Sequence, residues 1–254
     1  MATVRVGTSG WSYPGWRHFY PSDLPSAQRL AFYAGHFPTT EVNYSFYHLP
    51  RPSTYQSWAE QVPDDFVFAV KASWLITHTK RLQDVDAPWK AFIGNAASLG
   101  SHLGPVLFQF PASFQRDLAR LRRFLRLLTG ARVPPIRPVF EFRHESCFTE
   151  DVYRLLTRHQ AALCIVDSPR YPRRDVLTAE FAYFRFHGRT QMFVSSYTEQ
   201  ELAKEARLMR RFVRDRVDVY AYFNNDAKGH AVGNARRLQE LVAGRPRRVR
   251  RGVE

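Results

Sequence analysis

The stretch Val139-Phe140-Glu141-Phe142-Arg143-His144 carries the reading of the whole chain. Aromatic and β-branched residues crowded together mark a β-strand. Side chains of a strand alternate between its faces, so Phe140 and Phe142 share one face while Glu141 and Arg143 share the other. A parallel strand is covered on both sides, and ionisable groups inside such a strand need a reason to be there.

Seven further runs have the same character, at 3–8, 40–46, 66–71, 105–110, 161–167, 181–187 and 218–225. Apolar residues at i, i+3 and i+4 predict helices between most of them, at 28–37, 89–103, 115–128, 150–159, 199–214 and 234–242. The segment 168–180 reads as an irregular loop. Strands alternating with helices argue for parallel βα units, and eight such strands in 254 residues predict an α/β chain folded as a (β/α)8 TIM barrel. An open doubly wound sheet is the alternative, although no Gly-x-Gly-x-x-Gly phosphate loop is present for its dinucleotide-binding form. No linker composition interrupts the chain, so residues 1–243 are expected to form one domain. Residues 244–254 read as a basic, disordered tail.

In a TIM barrel the carboxyl ends of the strands line the active-site face. Polar residues interrupt seven of the eight runs near that end. Glu41 and Asn43, with Ser45, alternate along the second run, and Lys71 falls in register with Ala69 on the third. Gln109 separates Phe108 from Phe110. Glu141, Arg143 and His144 end the fifth run, Asp167 ends the sixth, Arg185 and His187 share a face of the seventh, and Asn224, Asn225 and Asp226 follow the eighth. Two aromatic clusters flank the first two runs: Trp11, Tyr13, Trp16, Phe19 and Tyr20, then Phe46-Tyr47-His48. Trp11 and Tyr13, beside Gly10, are the candidates to cover a ligand, whereas Trp16 and Phe19 read as lid residues packed on the body.

The expected mouth sets three acids, Glu41, Glu141 and Asp167, against three cations, Lys71, Arg143 and Arg185. That balance suits a polar anionic substrate, nucleotide-like compounds included, held by Arg forks and worked on by a carboxylate or imidazole. Glu141 or Glu41 is the expected general base or acid, His187 its partner, and Lys71, Arg143 and Arg185 the anion clamp. Ion pairs at the rim are the competing structural account of the same residues. A Lys71 amine whose pKa burial had lowered would instead form an imine with a carbonyl substrate. Metal and cofactor chemistry is not expected: no His-Glu-x-x-His spacing occurs and the cations oppose a divalent ion, although Glu41, Glu141, Asp167 and His187 are the set that would hold one. No Gly-x-Ser-x-Gly elbow supports serine hydrolase chemistry.

Composition bounds the rest. The net charge is +14, which raises nucleic acid as a partner. All but five of the 37 basic residues are arginine, and five of those arginines lie in the tail. An Arg-rich helix with Arg116, Arg120, Arg122, Arg123 and Arg126 would join the tail in holding a phosphate backbone, or else is the solvated outer face of the barrel. Two cysteines without Cys-x-x-Cys spacing, no secretory leader and no long apolar run predict a cytoplasmic protein with no membrane partner. The oligomeric state is left open.

Taken together the motifs resemble the YecE-like family, bacterial and archaeal proteins of unknown function. The matching blocks are Gly7-Thr8-Ser9-Gly10-Trp11-Ser12-Tyr13 with Trp16 and Phe19-Tyr20-Pro21, Glu41-Val42-Asn43 with Phe46-Tyr47, Phe68-Ala69-Val70-Lys71 with Thr77-His78, Leu103 through Pro111, Phe140 through His144, Arg185-Phe186-His187-Gly188, and Tyr222 through Asp226. Cys147 departs from the pattern, standing where a Trp is common. The resemblance implies a TIM barrel similar in outline to the endonuclease-four-like and xylose-isomerase-like barrels, with a site near the strand ends. It implies no particular reaction, and the metal ligands of the endonuclease-four-like enzymes are not recognisable as a set.

Overall fold

Eight strands, β1 (Val4–Ser9), β2 (Thr39–Val42), β3 (Val67–Lys71), β4 (Leu103–Gln109), β5 (Arg137–Glu141), β6 (Ala162–Asp167), β7 (Phe181–Phe186) and β8 (Asp218–Phe223), pair in parallel in chain order. β8 returns to pair with β1, Val4 opposite Val219, so the sheet is a closed barrel and not the open alternative. The computed structural model describes residues 2–16, 18–129 and 135–244; the expected tail at 245–254 lies outside the described residues. The helices are α1 (Arg29–Ala34), α2 (Tyr44–Tyr47), α3 (Pro52–Ala59), α4 (Asp86–Ala96), α5 (Leu118–Leu128), α6 (Glu150–Arg158), α7 (Glu199–Arg214) and α8 (His230–Val242).

Both faces of most strands are buried, so alternation shows in which core a residue joins and not in exposure. Ala182, Phe184 and Phe186 of β7 pack outward against the helices with Phe212 of α7 and Leu156 of α6. Phe181 and Tyr183 point inward, where Ala69, Leu107, Val139, Cys164, Tyr220 and Tyr222 fill the barrel. Large aromatic rings inside a small barrel leave no through-channel; the open space lies above them, at the carboxyl ends. The helices follow local rules. Thr198 and Glu201 form a capping box at the start of α7, and the Asp117 carboxylate accepts from Arg120 N at the start of α5.

All eight expected strands are present, several of them shorter at their ends. The second run stops at Val42 because Asn43 turns to helical backbone and α2 begins. Ser45 is therefore not a strand residue; its hydroxyl donates to Lys71 O at 2.7 Å and stitches α2 to the end of β3. The predicted helix 89–103 breaks at Gly100, whose φ of 58° separates α4 and its 3₁₀ extension from β4. α3 was not singled out by the helical pattern, and 168–180 is irregular as expected. Beyond β1 the chain reverses at Gly10, φ +89°, where a Cβ would stand 2.7 Å from the Tyr13 hydroxyl. Only glycine lets Tyr13 fold back so closely that its hydroxyl donates to Ser9 O. No helix among the described residues is long and apolar enough to cross a membrane.

Candidate functional site

Arg185 is the centre of the barrel mouth. It projects inward from β7, 1% exposed, and its guanidinium spans the barrel: Nη2 donates to Glu41 Oε1 at 2.8 Å and Nη1 to Glu141 Oε2 at 2.5 Å. Both carboxylates are fully buried, and each has a second partner. Tyr183 donates to Glu41 Oε2 at 2.7 Å, and Arg143 Nε donates to Glu141 Oε1 at 2.9 Å. Burial alone would raise the Glu141 pKa, but Arg185 and Arg143 outweigh it and hold the carboxyl far below the usual range. Glu141 is thus a fixed anion, and Glu41 is locked against the same guanidinium. Both carboxylates expected as general bases have both oxygens engaged, Glu41 by Arg185, Ser9 and Tyr183 and Glu141 by Arg185 and Arg143.

Once those pairs are formed, Lys71 is the cation left over. Its ammonium group sits 3.7 Å from the centre of the Phe46 ring, and among the described residues no carboxylate pairs with it. Burial, then repulsion from Arg185, lowers its pKa to about 7. Among the described residues Lys71 and Asp167 form no ion pair. Asp167 has the opposite strand parity from Cys164 and Val166, so it leaves the mouth and joins an outer network: Arg173 at 3.0 Å, Arg189 at 2.6 Å and the Tyr197 hydroxyl at 2.8 Å, with Arg173 also gripping the buried Glu205. Asp167, expected as a catalytic acid at the mouth, is thus placed in an ion-pair network outside it.

The mouth is a cavity of about 450 Å³. Of the expected residues, Tyr13, Asn43, Lys71, Gln109, Arg143, Arg185, Asn224 and Asp226 line it. Three of their buried polar atoms, Asn43 Oδ1, Arg185 Nε and Asp226 Oδ2, have no hydrogen-bond partner within the protein. Such groups are costly in a dry interior, and three around one cavity mark a place built for a polar occupant. Asp226 is half-buried and accepts from Trp16 Nε1 at 3.0 Å; burial raises its pKa to about 7 despite that bond.

An acid whose native pKa exceeds its unfolded value binds more protons when folded, so its contribution fades as pH rises from about 4 to 7. Asp226→Asn should therefore raise the melting temperature at pH 8 while leaving it nearly unchanged at pH 4. An equal effect at both pH values in a thermal-melt series would refute the assignment.

The remaining expected residues sit elsewhere. His187 is fully buried behind the cavity wall, 3.1 Å from Asn224 Nδ2 and edge-on to Phe193; burial and Arg185 push its pKa well below the ordinary value. Its Nδ1 faces Asn224, while its Nε2 lies 3.5 Å from Arg185 Nη1 and 4.0 Å from Glu141 Oε2, so the ring adjoins the triad without lining the cavity. His144 accepts from Ser146 N and caps a 3₁₀ turn, and Asn225 donates to Ser195 O and Asn234 Oδ1, tying β8 to α8. Both are structural. Trp11 lies beside the mouth, in an adjoining aromatic pocket. Trp16 is buried against Tyr20 and Tyr33, the lid packing expected of it.

Trp74, His78, Phe193 and Ala227 also line the cavity without being among the expected site residues, although His78 stands in one of the matching blocks. Trp74 stacks on His78, rings 4.1 Å apart, across the π-helical turn Leu75–Thr79 that follows β3. Their i, i+4 spacing just beyond Lys71 was the available signal. Burial, then Lys71, holds the His78 pKa down at about 4, so its ring is neutral. Phe193 adopts φ +64°, a strained backbone for a bulky residue, at the edge of the cavity. Of the Arg-rich helix, Arg116 and Arg120 pair with Asp151 and Asp117, and Arg122, Arg123 and Arg126 are exposed on the outer face of α5. Among the described residues no three His, Cys, Asp or Glu side chains are grouped as metal ligands.

Residues 5–253 match the family described as protein of unknown function DUF72. The chain is 26% identical to the UPF0759 protein YunF of Bacillus subtilis, over 94% of each, and 29% identical to the UPF0759 protein YecE of Escherichia coli K12, over 74% of this chain and 75% of YecE. A DUF72 family protein from Thermotoga maritima superposes with a TM-score of 0.76 at 29% identity, covering 95% of this chain and 99% of that one. One from Enterococcus faecalis superposes with a TM-score of 0.81 at 22% identity, covering 95% and 96%, a likeness of fold alone.

Proposed function

Because the chain belongs to the DUF72 family of proteins of unknown function, its chemistry has to be read from the mouth itself, and we propose an enzyme in which Lys71 takes a proton from a small anionic substrate. The observation that carries this reading is the Lys71 amine, seated on the Phe46 ring in the cavity with no carboxylate to neutralise it. A base works best when its pKa lies near the working pH, and Lys71 at about 7 meets that condition. Arg143 and the unpartnered Nε–H of Arg185 are the anion's anchors. Asp226, with a carboxyl that is half protonated at neutral pH, is the acid that returns the proton. An acid and a base facing one cavity suit proton abstraction and return, the step that isomerases and lyases share.

Deuterium exchange tests it. Phosphorylated sugars, phosphorylated nucleosides and oxo acids are incubated with the protein in D2O and followed by NMR. A substrate should take up deuterium at carbon, and Lys71→Met should slow that uptake by roughly 10²–10⁴-fold. Exchange that is untouched by Lys71→Met would sink the proposal. A Lys71 adduct trapped by borohydride would replace proton abstraction with imine formation.

A further inference from the structure

We propose that the aromatic pocket beside the mouth is a subsite for a planar heteroaromatic ring, so that the substrate carries such a ring next to its anionic group. The inference rests on the mouth being the substrate site. The pocket encloses about 440 Å³, and its chief walls are Trp11, Tyr13, Tyr44, Thr54 and Trp58, with Asn43 at its inner end. Tyr13 and Asn43 also line the mouth, so one ligand can occupy both spaces.

The orientation of Asn43 follows from its neighbours. Ser9 gives its single hydroxyl proton to Glu41 Oε1, leaving Ser9 Oγ to accept. Asn43 then turns its NH2 to Ser9, at 2.8 Å, which leaves its Oδ1 facing away from Ser9 on a residue that lines both spaces. There Oδ1 is buried without a partner. Glu41, through Ser9, thus sets an acceptor where a ligand N–H donor would sit. That is the pattern of an amino-bearing ring, whereas a phosphate has only acceptors to offer.

The walls favour the same occupant. Trp11 and Tyr44 stand at 80° and 82° to Trp58, centres 5.2 and 6.3 Å away, an open box of rings and not a closed stack. Tyr44 is 52% exposed, which is costly surface for a tyrosine at a pocket edge unless something covers it. Base rings stack on such aromatic walls with little regard to sequence or substituent. Among the described residues no charged side chain lines the pocket, so the anionic part belongs in the mouth with Lys71 and Arg143.

Titration calorimetry at fixed salt with adenosine 5′-monophosphate, ribose 5-phosphate and inorganic phosphate decides the matter. The adenine compound should bind at least about tenfold tighter than ribose 5-phosphate. Trp58→Leu, which removes a wall, and Thr54→Phe, which fills the pocket from the surface of α3, should each erase that advantage and leave ribose 5-phosphate binding unchanged. Thr54→Phe keeps the test valid if loss of the Trp58 packing on Tyr55 unfolds the first variant. Equal affinity for the two sugar phosphates in the wild type, or an advantage that survives Thr54→Phe, overturns the subsite. If Lys71→Met leaves deuterium exchange unchanged while the ring advantage persists, the role of Lys71 fails and the subsite stands.

Discussion

Arg185→Met is expected to lower the unfolding free energy by about 3–5 kcal/mol, the usual result of removing one partner from a buried ion pair. The variant keeps the length of the side chain but strands two carboxylates: Glu41 and Glu141, both 0% exposed, would face each other across the barrel without the guanidinium that separates them. A loss of that size is a large share of the margin of most domains, so the variant should be only partly folded at 37 °C. The comparison that isolates the cause is the triple variant Arg185→Met, Glu41→Gln, Glu141→Gln. Exchanging the whole triad for neutral groups removes the stranded charges, and the triple variant should be more stable than the single one. Urea unfolding followed by circular dichroism reads both; a triple variant less stable than Arg185→Met would show that the triad stabilises by something other than charge pairing.

The same triad sets the acid limit of the protein. Glu141 has a native pKa far below its unfolded one, so its contribution is complete above about pH 4.3 and is lost as pH falls through the native value. His187 has the same sign: buried neutral, it binds a proton in the unfolded chain from about pH 6.5 downward but not in the folded one. On acidification the loss from His187 begins near pH 6.5, shared by His78 and opposed by Asp226, so in an Asp226→Asn background stability should start to fall near pH 6.5 and His187→Gln should reduce that fall.

Lys71→Met should abolish turnover and make the protein more stable. Burial lowers the amine's pKa to about 7 from an unfolded value near 10.4, so between those values the unfolded chain holds a proton that the folded one has released. Stability consequently rises with pH across that window, and at pH 7 and below the cost of burying the amine is fully present. Methionine fills the same space against Phe46 with no charge to desolvate. The melting temperature should increase at pH 7 and lose its rise toward pH 10, while the reaction slows by roughly 10²–10⁴-fold. Lys71→Arg should fail differently, since a guanidinium cannot shed its proton: it should be inactive and no more stable than the wild type. A Lys71→Met protein that melts well below the wild type would identify Lys71 as a structural group.

The strand runs were legible because period-two alternation of aromatic and β-branched residues is a local property, visible in Phe140-Glu141-Phe142 or Tyr183-Phe184-Arg185 without any neighbour. The mouth was legible for a related reason: Lys71, Gln109, Glu141 and Arg185 end or interrupt apolar runs on the strands, and polar strand ends in a barrel collect on one side. What alternation cannot say is which face looks inward when both are buried. Asp167 sits at a strand end like the others, yet its parity turns it out to Arg173 and Tyr197. His144 and Asn225 lie just past strand ends, where turn geometry and not parity directs the side chain.

The sequence by itself thus determined the eight strands, their order, and the set of polar groups available at their ends, because each depends on interactions within a few residues. Only the closed barrel decided how those groups are used. Arg185 reaches Glu41 across 144 residues of chain while also holding Glu141, and these pairings tie up the two expected bases. Lys71 becomes the uncommitted charge by the same event, since charge pairing is a matter of distance through space, and it is barrel closure that sets the distance.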